Sequence, residues 1–163
     1  NTNATIYLKD VNLSFTDSST KGSYVYNPKD GAGDGYATIT VDGGVYNIDN
    51  GFLCDVTMMN ATVNAKGFIV NGGGSVENSA LTTDGSSKAP FAEAPFCCVA
   101  ASHGRTVTVT NSTLTATNCN VIEIYPTGGI VTVTDSTVNG SCYKHPLYDD
   151  TNNCSITFDG VEQ

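Results

Sequence analysis

Side chains that could do acid–base or covalent chemistry are few in this sequence. Ser102, His103 and Arg105 form the densest cluster of such types, and Asp149-Asp150 is the only pair of adjacent acidic residues. Glycoside hydrolysis needs two carboxylates about 5–9.5 Å apart, one of them with a raised pKa. The sequence pattern places no two carboxylates on adjacent strands. We therefore assign no catalytic residue, interpret His103 as part of a solvated loop, and predict that the protein is not an enzyme.

One glycine-rich turn has a partial likeness to a calcium site. It runs from Asp30 to Gly35 and carries carboxylates at Asp30 and Asp34, and hard cations take several oxygen ligands. The acidic residue that would close such a loop is missing, and turns with positive φ explain the glycines. Asp30 and Asp34 are the calcium candidates, but the prediction is no metal site and no cofactor.

The elements that must position any site are β-strands. Thr, Val, Asn, Gly and Ser make up 84 of the 163 residues, and β-branched residues with turn formers are typical of an all-β protein. Thr106–Leu114 aligns without a gap with Ile130–Val138, 24 residues further on. The shared pattern is apolar-x-apolar-x-Asn/Asp-small-x-apolar. Its second apolar residue recurs at positions 8, 41, 58, 76, 109, 133 and 158.

Irregular repeats of this size, each a strand followed by an Asn/Asp turn, predict a solenoid. We expect a parallel β-helix (β-solenoid) of about six to seven irregular rungs, forming one domain over residues 1–163. Long loops are expected near 17–36 and 82–105. The alternative, an antiparallel β-sandwich, also has many short strands but does not predict the same turn motif after each one.

The repeat sequences VTVTNSTLTATN and VTVTDSTVNGS resemble rungs of right-handed parallel β-helices of the pectin-lyase-like superfamily. They are most similar to its non-catalytic, adhesin-like members on microbial surfaces. The resemblance covers most of the chain and carries over no functional residue. Polygalacturonases of this superfamily have a His-Gly step, three acidic residues on neighbouring rungs and an Arg-x-Lys; here Thr106 and Val107 follow Arg105.

Six cysteines without a Cys-x-x-Cys pair favour disulfides over a zinc cluster, and disulfides imply an oxidising compartment. Cys119 and Cys142 follow their repeat markers by 10 and 9 residues (119−109 and 142−133), which places them at nearly stacked positions within disulfide reach. Cys54 is expected to bridge to Cys97 or Cys98. Cys154 would then pair with the one that is left, or with another subunit.

Six Asn-x-Ser/Thr sequons are candidates for glycosylation, at Asn3, Asn12, Asn60, Asn111, Asn139 and Asn153. Together with the cysteines they predict an extracellular or cell-surface glycoprotein. The net charge of −9 argues against a basic nucleic-acid groove. No run of 18 apolar residues exists, so no membrane span is predicted.

Two surfaces are candidate contact sites. One outward column of the predicted strands collects hydroxyl side chains and could bind ice or a carbohydrate, or could be an ordinary β-branched surface; its members are Tyr7, Thr40, Thr57, Thr108, Thr132 and Thr157. The other is the pair of open ends, with Ile6 and Leu8 under the first rung and Ile156 and Phe158 under the last.

Open ends without a helical cap lead to the functional prediction. The leading hypothesis is a secreted structural subunit that joins copies of itself head to tail into an extracellular filament or surface coat. The alternative is an adhesive module that binds glycans or a host surface. The third and least favoured hypothesis is a polysaccharide-degrading enzyme.

Overall fold

Alternating apolar and polar residues form short strands throughout the described chain. The structure, a computed structural model, describes residues 5–14, 25–26, 38–87, 96–124, 128–144 and 154–163. All the regular secondary structure within these ranges is β-strand. They are β1 (Thr5–Lys9), β2 (Asn12–Ser14), β3 (Val25–Tyr26), β4 (Thr38–Asp42), β5 (Val45–Ile48), β6 (Phe52–Leu53), β7 (Asp55–Met59), β8 (Thr62–Ala65), β9 (Val70–Gly72), β10 (Gly74–Glu77), β11 (Ala80–Thr83), β12 (Val99–Ala101), β13 (Arg105–Thr110), β14 (Thr113–Ile124), β15 (Gly129–Thr134), β16 (Thr137–Lys144), β17 (Cys154–Phe158) and β18 (Val161–Glu162).

The strands form two sheets in which nearly every pairing is parallel. The first sheet has the order β1-β4-β7-β10-β13-β15-β17-β18, and the second has the order β2-β5-β8-β11-β14-β12-β9-β6-β3, with β16 paired to β14. Among the strands that the structure describes, only the pairing of β17 with β18 is antiparallel. The prediction of an all-β protein with parallel strands is confirmed.

The register of the first sheet follows the repeat in the sequence. The seven residues that mark the repeat are direct partners of one another, strand after strand: Leu8, Val41, Met58, Val76, Val109, Val133 and Phe158. The first six are each followed by a turn into a second-sheet strand, from β1 into β2 through to β15 into β16. We call such a strand–turn–strand segment a repeat unit.

The turn in each repeat unit contains a left-handed residue, and in most units a small residue follows it. Asn60, Asn78 and Asn111 have φ of 57°, 48° and 49°, a region that Asn and Asp tolerate better than most residues. A serine follows Asn78 and Asn111, and its hydroxyl accepts a hydrogen bond from the preceding unit: Ser79 N donates to Ser112 Oγ at 3.1 Å. The Asn/Asp-small motif is therefore a turn that also bonds one unit to its neighbour.

One apolar core lies between the two sheets. Inward residues of the middle units, such as Val63, Leu81 and Leu114, are fully buried. Tyr46 and Phe52 pack edge to face with ring centroids 6.5 Å apart. Burying each such side chain is worth about 1.5–3 kcal/mol, so stacking supplies the stability that a single unit lacks.

Strands occur inside both segments that were predicted to be long loops. β3 lies within 17–36, and β11 and β12 occupy parts of 82–105; the rest of 17–36 and residues 88–95 lie outside the described residues. With β6 and β9, the strands β3 and β12 form a row that the sequence pattern did not predict. The repeat unit is thus followed by a further short strand in several places.

Candidate binding face

A column of hydroxyl groups crosses the outer face of the first sheet. One hydroxyl side chain per strand occupies the same register position, in the order Tyr7, Thr40, Thr57, Ser75, Thr108, Thr132 and Thr157. Adjacent strands are about 4.8 Å apart, which sets the spacing of the column. The predicted column is confirmed in position. It gains Ser75, which the sequence pattern missed because the repeat around Val76 matched only from its second apolar residue.

Further hydroxyls flank this column. Thr38 and Thr106 lie two residues before the column position in their strands. Thr110 and Thr134 lie two residues after it. Inward neighbours such as Val107 are fully buried, while Thr106 and Thr108 are exposed. The outer face of the first sheet is therefore regular in register and rich in groups that both donate and accept hydrogen bonds. We call it the hydroxyl face.

A shallow pocket of about 260 Å³ interrupts the hydroxyl face. It exists because position 73 is glycine: a Cβ there would lie 2.7 Å from Asp55 Oδ1 and 3.3 Å from Arg105 Cβ. Arg105 Nη1 donates to Asp55 Oδ1 at 2.5 Å across the pocket. Thr57 and Thr106 complete the rim. The pocket is thus lined by a carboxylate, a guanidinium and hydroxyl groups.

Asp42 is held by two donors at the edge of the hydroxyl face. Tyr7 Oη donates to Asp42 Oδ2 at 2.9 Å, and Asn60 Nδ2 donates to Asp42 Oδ1 at 3.2 Å. The hydrogen bond from Tyr7, then the one from Asn60, lowers the pKa of Asp42. The same bond to Asp42 raises the pKa of Tyr7. Asp42 is therefore an anion in the physiological range, and not a proton donor.

Of the residues considered for catalysis, the structure describes the segment from Ser102 to Arg105. His103 is exposed, with φ of 56°, in the turn between β12 and β13, as its interpretation as a solvated loop residue predicts. Burial raises the pKa of Glu123, and Asn120 donates to its Oε1 at 2.9 Å. The register neighbours of Glu123 are Ala100 and Tyr143, so no carboxylate faces it from an adjacent strand. Asp149 and Asp150 lie outside the described residues.

The calcium candidates Asp30 and Asp34 also lie outside the described residues. Among the residues that the structure does describe, no group of three or more His, Cys, Asp or Glu side chains could hold a metal ion.

The two ends of the first sheet differ. Ile6 is 44% exposed on β1, and Leu8 is half-buried. At the other end Ile156 is only 1% exposed, and β18 folds back on β17 so that Phe158 pairs with Val161. The expectation that the last strand offers an open edge is wrong over Thr157–Phe158, because a hairpin strand already occupies that edge. Ile156 is consequently a core residue.

No disulfide links any of the six cysteines in the structure, which are Cys54, Cys97, Cys98, Cys119, Cys142 and Cys154. The expected Cys119–Cys142 bond is not formed, because β14 and β16 do not keep a constant register. From one register pair to the next, β14 advances five residues, from Thr115 to Asn120 (120−115). Over the same step β16 advances only two, from Asn139 to Ser141 (141−139). Cys142 is thereby paired with Ile122, and Cys119 lies in the irregular stretch beside Asn118, which has φ of 63°.

Four of the six predicted sequons fall in the described residues, and their asparagines, Asn12, Asn60, Asn111 and Asn139, are all exposed. Some of these side chains take part in local bonds. Asn12 Oδ1 accepts from Val45 N at 3.1 Å, and Asn139 Nδ2 donates to Thr115 Oγ1 at 3.3 Å. Asn3 and Asn153 lie outside the described residues.

No protein-family model, curated protein or solved structure matches this chain. The described part of the chain has no helix that is long and apolar enough to cross a membrane. The geometry of the site itself therefore carries the functional argument.

Proposed function

We propose that this chain is an extracellular, non-catalytic parallel β-helix, similar to the adhesin-like members of the pectin-lyase-like superfamily, that binds neutral glycans through its hydroxyl face. The observation that carries the proposal is the in-register hydroxyl column with its pocket at Asp55 and Arg105. Hydroxyls, a carboxylate and a guanidinium supply the donors and acceptors that polyhydroxylated ligands require. The net charge of −9 favours a neutral glycan over an acidic one.

The stacked order of the sheets supports the β-helical part of this proposal. Each repeat unit contributes one strand to each sheet, and the units follow one another in chain order in the first sheet. A wide, rigid surface assembled from parallel strands suits a repeating ligand better than a single deep pocket does.

The test measures binding to a panel of immobilised neutral polysaccharides, with an acidic polysaccharide as the charge control. The variant Thr57→Val/Thr108→Val/Thr132→Val removes three hydroxyls of the column but keeps β-branched side chains. At about 0.5–1.5 kcal/mol for each hydrogen bond, we expect binding about tenfold weaker or worse.

The matched control carries Thr62→Val/Thr82→Val/Thr113→Val, three exposed threonines on the outer face of the second sheet. This variant should bind as the unmodified chain does. Equal losses in both variants, or no binding of the unmodified chain to any neutral polysaccharide, would refute the proposal.

One observation favours the second candidate, a structural subunit that joins other copies. Ile6 is 44% exposed at the β1 end of the stack, and Leu8 and Leu13 beside it are only partly buried against the core. An apolar strand edge is a surface on which another strand can add. The β18 hairpin limits this mode of assembly, since head-to-tail pairing with β1 would require β17 to release β18.

A further inference from the structure

The pocket on the hydroxyl face lies where one outward column of the first sheet loses its side chain. Four residues stand at one level on successive strands of this sheet: Thr38, Asp55, Gly73 and Thr106. Neighbouring strands are about 4.8 Å apart. The glycine therefore leaves a gap, two strand spacings wide, between the backbones that carry Asp55 and Thr106.

The Asp55 carboxylate lies over this gap and keeps acceptor sites for a ligand. Its Oδ1 accepts from Arg105 Nη1 at 2.5 Å, and its side chain is still 37% exposed. An ionised carboxylate has about four lone-pair sites, and the bond from Arg105 uses one of them. Within the described part of the chain, no other hydrogen bond to Asp55 is formed. Both oxygens can therefore accept from a ligand while Arg105 holds the carboxylate in place.

The chemistry of this carboxylate selects the kind of ligand. Two parallel donors match the two oxygens of a carboxylate, as in its bidentate pair with arginine. Adjacent hydroxyls on a sugar ring supply two such donors, and their oxygens can accept in turn from Thr57 and Thr106 on the rim. A phosphate or sulfate group offers only acceptors and a negative charge to Asp55. An acetamido group offers a single N–H donor.

We propose that the pocket is a subsite for a vicinal diol, which is a pair of adjacent free hydroxyls on one sugar ring. The inference rests on the proposed glycan binding by the hydroxyl face and adds which sugar units bind best. Pockets for drug-sized ligands measure about 300–1,000 Å³, so the 260 Å³ here suits one ring. The hydroxyl column contacts any neutral glycan, whereas the pocket selects chains whose units keep adjacent hydroxyls free.

Two neutral glucans distinguish the pocket from the column. Dextran is linked mainly through the primary hydroxyl, so most of its rings keep three adjacent hydroxyls free. A linear glucan linked through the third carbon keeps no two adjacent hydroxyls free within the chain. We expect the unmodified protein to bind dextran about tenfold more tightly or better, the effect of two further hydrogen bonds. Dextran whose diols have been cleaved with periodate and then reduced should bind as weakly as the second glucan.

Substitutions in the pocket then test its residues. Gly73→Ala and Asp55→Asn should each lower the affinity for dextran to that for the second glucan. The alanine Cβ would lie 2.7 Å from Asp55 Oδ1 and displace the carboxylate, and asparagine replaces one acceptor oxygen with an NH₂ group. Glu77→Gln is the matched control, because Glu77 is an exposed carboxylate on β10 outside the pocket. This variant should keep the preference for dextran, and circular dichroism should show that all three variants are folded.

The outcomes separate this proposal from the proposed function. Equal affinity of the unmodified protein for the two glucans, no binding to dextran, or a preference for dextran that survives Asp55→Asn would overturn the diol subsite. In each of these cases the proposed function still stands if the protein binds other neutral polysaccharides and the three-threonine variant of the column loses that binding.

Discussion

The serine that follows Asn or Asp in three of the turns accepts one hydrogen bond and donates another. Ser112 Oγ accepts from Ser79 N at 3.1 Å and donates to Thr110 O at 2.8 Å, and Ser136 repeats both bonds one unit further on. Ser79 and Ser112 are only 4% exposed. A buried N–H group that loses its acceptor costs about 1–3 kcal/mol. These serines therefore contribute to stability well beyond what their size suggests.

We predict that Ser112→Ala lowers the free energy of unfolding by about 1–2 kcal/mol, because Ser79 N would lose its acceptor. Urea denaturation measures the change. Thr113→Ala is the matched control: Thr113 is the next residue and is exposed, so its loss should cost about 0.5 kcal/mol or less. Equal losses in the two variants would contradict the role of the Ser112 hydroxyl.

At the scale of elements, the hairpin of β17 and β18 protects the end of the first sheet. Asp159 and Gly160 have φ of 48° and 80°, the left-handed conformations of a two-residue hairpin turn. The turn places Val161 opposite Phe158, and Val161 itself is 65% exposed. A paired edge offers no free row of N–H and C=O groups to another chain.

We predict that Val161→Pro promotes self-association, since proline removes an N–H from the hairpin and frees the edge of β17. Light scattering should show a mass that rises with concentration. Val161→Thr is the control because threonine keeps the N–H and suits a strand. The mass of this variant should equal that of the unmodified chain at every concentration. If Val161→Pro also leaves the mass unchanged at all concentrations, β18 does not protect this edge.

The sequence was informative for the strands that show one face to the core and one to solvent. Their period of two marked Leu8, Val41 and the other repeat positions, and all seven proved to be register partners. The row of β9 and β12 could not be found in this way. Val70–Gly72 and Val99–Ala101 are buried at every position, so no alternation exists to be read.

Two further features had a signal in the sequence that the repeat obscured. Asp159-Gly160 is a typical hairpin turn, but it occupies the place of the Asn/Asp-small motif and was interpreted as one more repeat. Asp55, Gly73 and Thr106 all precede their repeat markers by three residues (58−55, 76−73 and 109−106). Their stacking into the pocket follows from that shared offset once the register is known.

At the scale of the whole molecule, buried thiols make the stability of the reduced protein depend on alkaline pH. Burial raises the pKa of Cys54 to about 11 and that of Cys98 to about 12, from 9.0. Above pH 9 the unfolded chain loses these protons while the folded chain keeps them. The stability is therefore complete below pH 9 and declines as the pH rises towards the folded pKa values.

We predict that the free energy of unfolding of the reduced protein falls between pH 9 and 11 by up to about 1.4 kcal/mol per pH unit for each of the two thiols. Urea denaturation with a reductant present, at about pH 8 and pH 10.5, measures the decline. The variant Cys54→Ala/Cys98→Ala should show a shallower decline, although tyrosines and lysines titrate in both proteins. The same slope in both would show that these thiols do not carry the effect.

The parallel register has a mechanical consequence. In both sheets the hydrogen bonds between units point along the direction of stacking, from each strand to its equivalent in the next unit. A pull along that direction would put every boundary between units under the same tension, and a boundary could open from one edge by breaking its hydrogen bonds one after another. A pull along the strands would load all the bonds of a boundary together in shear. A protein with this architecture should therefore be weak under tension along the stack and strong across it, so its resistance to flow or traction depends on where it is tethered.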